Sequence, residues 1–338
     1  MANPFRNEST ESTESTESTE STESTESTAG LAAYSGQRTS TLLAQALWNT
    51  HGELARGIAG IGAATPAPHA VANDAGFPRW APDVRSRLYL FELVSELYFD
   101  ASLADAAELY ALSAAPTKAG ATLTGQYASI AKLLRPACDF AGTVPAGSPG
   151  RNLATELGEV IKQSALRTDR LAEILTQVVV PYPFFASILN MQSGRHRRTF
   201  ELMSLAANFA SAIGQRFKHH FRVTRPGDQS PLVQPILMTP RHAAYPAGHA
   251  MQSHLIADVL VSLVSATNET KGQLKALADR IGRNRVIAGV HYPVDIDEGQ
   301  RLAEALAKHL IARASVTASI PPMHAVKWLW DEAKKEWS

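Results

Sequence analysis

The chain has 338 residues, of which 45% are hydrophobic and 19% are charged, with 32 basic and 32 acidic residues. This composition is typical of a water-soluble globular protein of one or two domains. No run approaches the roughly 20 consecutive apolar residues of a membrane span, and the N-terminus lacks the basic and apolar regions of a secretory signal. The single cysteine, Cys138, excludes an intrachain disulfide, and we expect a cytoplasmic protein that does not span a membrane.

The N-terminal segment has a repetitive composition. Residues 8–28 repeat the triplet Glu-Ser-Thr seven times and contain no apolar residue. Such a segment cannot bury enough surface to offset the entropy of ordering, so residues 1–30 are predicted to be a disordered tail. The tail carries a net charge of −6, which leaves 31 basic and 25 acidic residues, a net charge of +6, on residues 31–338. This excess of positive charge suits an anionic ligand without requiring a nucleic acid.

Apolar residues recur at helical spacing through most of the remaining chain, and few segments alternate with a period of two. One example is the series Leu88, Phe91, Val94, Leu97 and Tyr98. The pattern predicts an all-α bundle, formed by residues 31–338 as a single domain. In the C-terminal half it predicts helices over about 199–222, from near 246, around 274–285, from 293 to about 310, and around 328–337.

A first group of polar residues lies near the end of the helix predicted over 199–222. Lys218 and Arg225 are seven residues apart, a spacing that places two residues nearly in line on one helix face. Two neighbouring like charges repel, so the spacing indicates an oxyanion bound between them, held by the guanidinium fork and the ammonium charge. The alternative is a solvated basic helix end that is stabilised by the helix dipole.

A second group opens the helix predicted from near residue 246. Gly248 lets backbone N–H groups approach an anion closely, and a helix start favours negative charge. His249, directly after it, is suited to proton transfer near neutral pH. The alternative is an ordinary turn with a solvent-exposed histidine.

A third group spans residues 285–295. The helical stripe of the preceding residues places Arg285 on the core side, where a guanidinium needs an anionic partner. His291 comes just before a predicted helix, and Asp295 four residues later can accept a hydrogen bond from one ring nitrogen, which leaves the other as nucleophile or ligand. The alternative is that Asp295 only stabilises the first turn and that His291 is packed in the core.

The three groups together resemble the signature of the type 2 phosphatidic acid phosphatase and vanadium-dependent haloperoxidase superfamily. The shared pattern is Lys-x6-Arg-Pro, then Pro-x-Gly-His, then Arg-x5-His-x3-Asp, and it covers residues 218–295. The nine matching positions are Lys218, Arg225, Pro226, Pro246, Gly248, His249, Arg285, His291 and Asp295. The resemblance implies a mainly helical bundle that binds phosphate or vanadate.

The resemblance also implies which residues hold the oxyanion. Its oxygen atoms would be bound by three cations and one amide, namely Lys218, Arg225, Arg285 and the N–H of Gly248. Two positions depart from the family pattern, because Ala247 and Asn284 stand where the family usually has serine. Loss of one such donor weakens transition-state stabilisation by roughly 2.7 to 4 kcal/mol, so we expect Ala247 to reduce activity.

The roles of the remaining residues follow from the same resemblance. His291 would be the nucleophile toward phosphorus in a phosphatase, or the ligand of vanadium in a haloperoxidase. Asp295 would orient His291, and His249 would act as general acid or base. His242 lies seven residues before His249, as in bromide-using haloperoxidases of the superfamily, so the sequence is most similar to the soluble haloperoxidase-like branch.

We therefore interpret the chain as an enzyme that oxidises halide with hydrogen peroxide and uses vanadate as its cofactor. One alternative is a soluble acid phosphatase that hydrolyses phosphomonoesters through a phosphohistidine and needs no cofactor. Another is a degenerate, non-catalytic oxyanion-binding protein. The expected partners are small molecules, and the sequence indicates no particular oligomeric state. The basic cluster at 195–198 lacks interleaved aromatic residues, so it is interpreted as a solvated loop and no nucleic acid is expected.

Overall fold

A computed structural model describes residues 77–102, 107–112, 127–134, 138–139, 151–179, 181–315 and 325–338. The tail predicted at residues 1–30 lies outside these ranges. Helices make up most of the described residues, as the sequence predicts. Their bounds are α1 (Pro82–Val94), α2 (Leu153–Gln163), α3 (Arg167–Thr176), α4 (Tyr182–Ile188), α5 (Arg197–Phe221), α6 (Pro226–Gln229), α7 (Gly248–Leu263), α8 (Asn268–Ile287), α9 (Pro293–Ala314) and α10 (Ala325–Lys335), with short 3₁₀ helices at Phe77–Arg79 and Ser164–Leu166.

Helix α7 forms the centre of the bundle and packs against α5, α8 and α9. It is apolar around most of its circumference and almost entirely buried, which is typical of a central helix. Gly299 of α9 allows the closest approach to it. A Cβ atom at this position would lie 2.8 Å from the Ala247 carbonyl oxygen and 3.0 Å from the Ala250 Cβ, so a larger side chain would push α9 away from the start of α7.

Strands are few among the described residues and lie between α1 and α2. Strands β1 (Leu97–Asp100), β2 (Ala107–Leu112) and β3 (Tyr127–Leu134) form an antiparallel sheet in that order, and β4 (Cys138–Asp139) pairs in parallel with β5 (Arg151–Asn152). Leu97 and Tyr98, which continue the helical spacing of α1, belong to β1 and lie opposite Ala111 and Tyr110. Aromatic residues favour strands, and cross-strand aromatic pairing outweighs the helical spacing here.

The basic cluster at 195–198 is only partly solvated, which corrects its interpretation as a solvated loop. Arg195 and Arg197 are exposed, whereas His196 and part of Arg198 are packed at the start of α5. His196 is buried, and its ring lies 4.6 Å from that of Trp337. Arg198 Nη1 donates to Glu201 Oε2 at 2.6 Å. The same carboxylate receives two hydrogen bonds of 2.8 Å from the buried Arg85, so the cluster joins α1, α5 and the C-terminal residues.

None of the described helices combines the length and the apolar character that crossing a bilayer requires.

Candidate active site

His291 and Asp295 form a buried pair at the start of α9. His291 lies just outside the helix, and Asp295 occupies its first turn. Asp295 Oδ2 lies 2.8 Å from His291 Nδ1 and also accepts the backbone N–H of Tyr292 at 3.0 Å. A carboxylate acceptor at Nδ1 holds the proton on that nitrogen, so the lone pair of the neutral ring is on Nε2.

The turn before His291 directs this ring into the site. Gly289 ends the chain reversal after α8 with φ of 85°, a value that other residues rarely adopt. Arg167 of α3 holds the same turn from outside, because its guanidinium donates to the carbonyl oxygens of Ile287, Val233 and Gln234 at 2.7 to 2.9 Å.

Arg225 connects His291 with His242. Its Nη1 lies 3.0 Å from His291 Nε2 and donates to the Val290 carbonyl at 2.7 Å. Its Nη2 lies 3.1 Å from His242 Nδ1, and its Nε donates to the His242 carbonyl at 3.1 Å. Arg225 is 2% exposed, so its charge acts where little water screens it.

Lys218 and Arg225 do not share a helix face, which corrects the prediction from their spacing. Helix α5 ends at Phe221, and Arg222 adopts the left-handed conformation with φ of 53° and ψ of 31°. Arg225 precedes α6 in extended conformation. Lys218 is 3% exposed, and its Nζ donates to the carbonyl oxygens of Ala243 and Ala244 at 2.8 and 3.0 Å.

The start of α7 supplies the second group of the signature. Ala247 is the N-cap residue and has no side-chain oxygen to cap the helix, while its backbone N–H donates to the Asp295 carbonyl at 2.9 Å. A Cβ atom added at Gly248 would meet no atom within 4 Å, so the space beside this helix start is open. His249 is 8% exposed, and its Nε2 lies 3.1 Å from the Val178 carbonyl oxygen.

Arg285 points into the core, as its helical position predicts, and is 1% exposed. Its Nη2 donates to the Ile174 carbonyl at 3.0 Å. The neighbouring Asn284, fully buried, donates through Nδ2 to Gln177 Oε1 at 2.8 Å and to Glu173 Oε2 at 3.1 Å. The C-terminal end of α3 therefore holds the α8 segment that carries Arg285.

The surroundings of His291 lower the pKa of its imidazole. Burial lowers the pKa of His291 well below its usual value, and the charges of Arg225 and Lys218 lower it further. His249 and His242 act in the same direction. The imidazole is therefore neutral at neutral pH, and two cations and two further histidines lie near it.

Burial also affects Asp295, which is fully inaccessible to solvent. It raises the pKa of the Asp295 carboxyl, while the N–H of Tyr292 and the charges of Lys218 and Arg225 oppose the rise. Because its pKa is about 7, the carboxylate is ionised increasingly as pH rises through neutrality, and the hydrogen bond to His291 strengthens with it.

A cavity of about 500 Å³ adjoins these residues. Lys218, Arg225 and His242 form part of its wall, and the chain segments 222–225 and 240–243 form much of the rest. It lies on the side of the site that is formed by the end of α5 and the loop before α7.

The contacts from α3 were not predicted from the sequence. Hydrogen bonds between positions more than 70 residues apart join His249, Asn284 and Arg285 to Glu173, Ile174, Gln177 and Val178. No spacing pattern indicates such long-range partners. The helical pattern of α3 indicates only that it has a buried side, which Ile174 occupies.

Comparisons with known proteins give structural similarities only. No protein-family model and no curated protein sequence matches the chain. One similar solved structure is a transmembrane PAP2 type phosphatidylglycerolphosphate phosphatase from Bacillus subtilis, with 20% identity over 49% of this chain and 88% of that chain and a TM-score of 0.35. Another is a bacterial vanadium-dependent iodoperoxidase, with 18% identity over 58% of this chain and 59% of that chain and a TM-score of 0.40.

Proposed function

We propose that the chain is a vanadium-dependent haloperoxidase-like enzyme, which oxidises halide with hydrogen peroxide at a vanadate bound to His291. The observation that carries this proposal is the contact of His242 with Arg225. Arg225 lies 3.0 Å from His291 Nε2 and 3.1 Å from His242 Nδ1, so a second imidazole adjoins the oxyanion site. Hydrolysis of a phosphomonoester needs no histidine at this place, whereas halide oxidation involves further proton transfer.

The residues around His291 fit vanadate. The neutral ring has its lone pair on Nε2, and the buried cations Lys218, Arg225 and Arg285 match the charge of an oxyanion. The open space at Gly248 would accept oxygen atoms at the start of α7. Bound vanadate would supply a Lewis-acid centre that activates peroxide toward halide.

The side chains around the oxyanion would then divide the remaining work. Asp295 keeps the proton of His291 on Nδ1, so that Nε2 can bind the central atom. His249, at the start of α7, would donate and accept the protons that the reaction moves. His242 would influence that proton transfer and the approach of halide from the cavity side.

A second candidate is a phosphatase in which the same Nε2 attacks phosphorus. The cationic wall of the cavity beside Lys218 and Arg225 favours this candidate, because it suits an anionic phosphoester. Both reactions need the same oxyanion pocket, so the pocket alone does not distinguish them. The proposed difference is that only halide oxidation needs His242.

A paired assay of one purified sample tests the proposal. Bromide oxidation is measured with orthovanadate and hydrogen peroxide, and phosphomonoester hydrolysis is measured without vanadate. His242→Ala should lower bromide oxidation about tenfold or more and leave any hydrolysis within a few-fold. His291→Ala should abolish whichever activity is present. Strong hydrolysis in the parent protein without bromide oxidation would reject the haloperoxidase proposal and favour the phosphatase.

A further inference from the structure

The cavity beside the oxyanion site has a strongly basic wall. Among its described lining residues are four cationic side chains and one carboxylate, Asp228. The cationic residues are Lys218, Arg222, Arg225 and Arg241. A concave surface with an excess of one sign of charge concentrates ligands of the opposite sign.

This cavity shares wall residues with the proposed oxyanion site. Lys218 and Arg225 line it, and Arg225 Nη1 lies 3.0 Å from His291 Nε2. His242, which contacts Arg225 at 3.1 Å, lines it as well. A ligand in the cavity would therefore lie next to an oxyanion bound at His291.

Arg222 adds a positive charge to the cavity that does not come from the signature residues. Its left-handed conformation ends α5, and its Nε donates to the His219 carbonyl at 3.2 Å. The side chain is exposed and lines the cavity outside the signature residues. Guanidinium groups bind carboxylates and phosphates through paired hydrogen bonds, so Arg222 is suited to hold such a group.

We infer that the cavity binds a carboxylate or phosphate group of an organic substrate, next to the oxyanion held at His291. In the proposed haloperoxidase this substrate is the organic molecule that the oxidised halide would halogenate, and in the phosphatase alternative it is the phosphoester itself. The inference rests on the proposed oxyanion site and adds the class of substrate, namely organic anions. Val223, Pro240 and Ala243 also line the cavity and would contact the carbon chain of such a substrate.

Phosphonates provide the test, because their C–P bond is not hydrolysed by a phosphatase. Calorimetry compares propylphosphonate, which has one anionic group, with 3-phosphonopropionate and propane-1,3-diphosphonate, which carry a second. We expect at least one of the two-anion ligands to bind about tenfold more tightly than propylphosphonate, with the advantage decreasing as salt is added. The preferred second group identifies the substrate as a carboxylate or a phosphate.

Variants locate the second anionic group. Arg222→Gln should remove most of the tenfold advantage and leave the affinity for propylphosphonate unchanged. Arg241→Gln, which alters the same cavity, serves as a second variant if Arg222→Gln unfolds. Arg283→Gln makes the same charge change at an exposed position of α8 that does not line the cavity, and should change neither affinity.

The possible failures are distinguishable. Equal affinities for all three phosphonates would overturn the inference while leaving the oxyanion site intact. An advantage that persists in both Arg222→Gln and Arg241→Gln would also overturn it, because the second group would then bind elsewhere. If neither the phosphonates nor orthovanadate bound to the parent protein, the proposed function would be wrong and the inference with it.

Discussion

Asp295→Asn tests how the buried carboxylate contributes to the site. Asparagine has nearly the same shape, and its amide oxygen can take the place of Oδ2, which accepts His291 Nδ1–H at 2.8 Å and Tyr292 N–H at 3.0 Å. The two donors disfavour the flipped amide, so the tautomer of His291 should be kept. What is lost is the negative charge behind the ring.

The expected size of the effect follows from the hydrogen bond that changes. A bond to a charged acceptor contributes about 1.5 to 3 kcal/mol and a neutral one about 0.5 to 1.5 kcal/mol. A difference of about 1 to 1.5 kcal/mol corresponds to a five- to twelve-fold loss in kcat/KM. Asp295→Ala should lose more, because it leaves two buried N–H groups without an acceptor, at about 1 to 3 kcal/mol each.

The assay is bromide oxidation with saturating orthovanadate, measured as kcat/KM across neutral pH. Because burial raises the pKa of Asp295, the carboxylate is ionised increasingly as pH rises, so the gap between the parent and Asp295→Asn should widen with pH. Asp297→Asn is the matched control, since Asp297 is on the same helix and exposed. Full activity of Asp295→Asn, or an Asp295→Ala variant no worse than it, would refute the role assigned to this carboxylate.

Three further predictions concern the surroundings of the site. Ala247→Ser should supply the side-chain N-cap that α7 lacks, which should stabilise the fold by about 1 kcal/mol and raise the affinity for vanadate. Thermal unfolding measures the stability and calorimetry measures the affinity, and a fall in either quantity would contradict the prediction. Asn284→Ala should lower the free energy of unfolding by about 1 to 3 kcal/mol in urea titrations, because it leaves Gln177 Oε1 without its donor; no change would contradict this. Burial lowers the pKa of His309, so its stability contribution is present above pH 6.5 and lost as pH falls. Compared with His309→Gln, the free energy of unfolding of the parent should fall by up to about 1.36 kcal/mol more per pH unit below pH 6.5. Parallel plots of unfolding free energy against pH for the two proteins would refute this.

The sequence predicted the helices that carry the signature residues. Apolar spacing located α5, α7 and α9 within a few residues and α8 over its C-terminal part, and the stripe on α8 placed Arg285 inside the core. The His291 and Asp295 spacing predicted a contact that spans only one helical turn. Local patterns of this kind are visible because both partners lie within a few residues of each other.

Other features depended on long-range contacts or on backbone conformation. The shared helix face of Lys218 and Arg225 was wrong, although Pro226 was a usable signal, because the residue before a proline disfavours helix and Arg225 is extended. Strand β1 was not predicted because its conformation depends on pairing with β2, which begins further along the chain, at Ala107. The hydrogen bond from Asn284 to Gln177 joins positions 107 residues apart, which no local pattern encodes.

The claim that an oxyanion binds at His291 can be tested by titrating the parent protein and His291→Ala with orthovanadate in a calorimeter. We expect saturable binding at one site per parent chain, together with a higher melting temperature, since a ligand that binds only the native state stabilises it. His291→Ala should bind much more weakly. Absence of binding to the parent, or equal affinity in the two proteins, would contradict the claim.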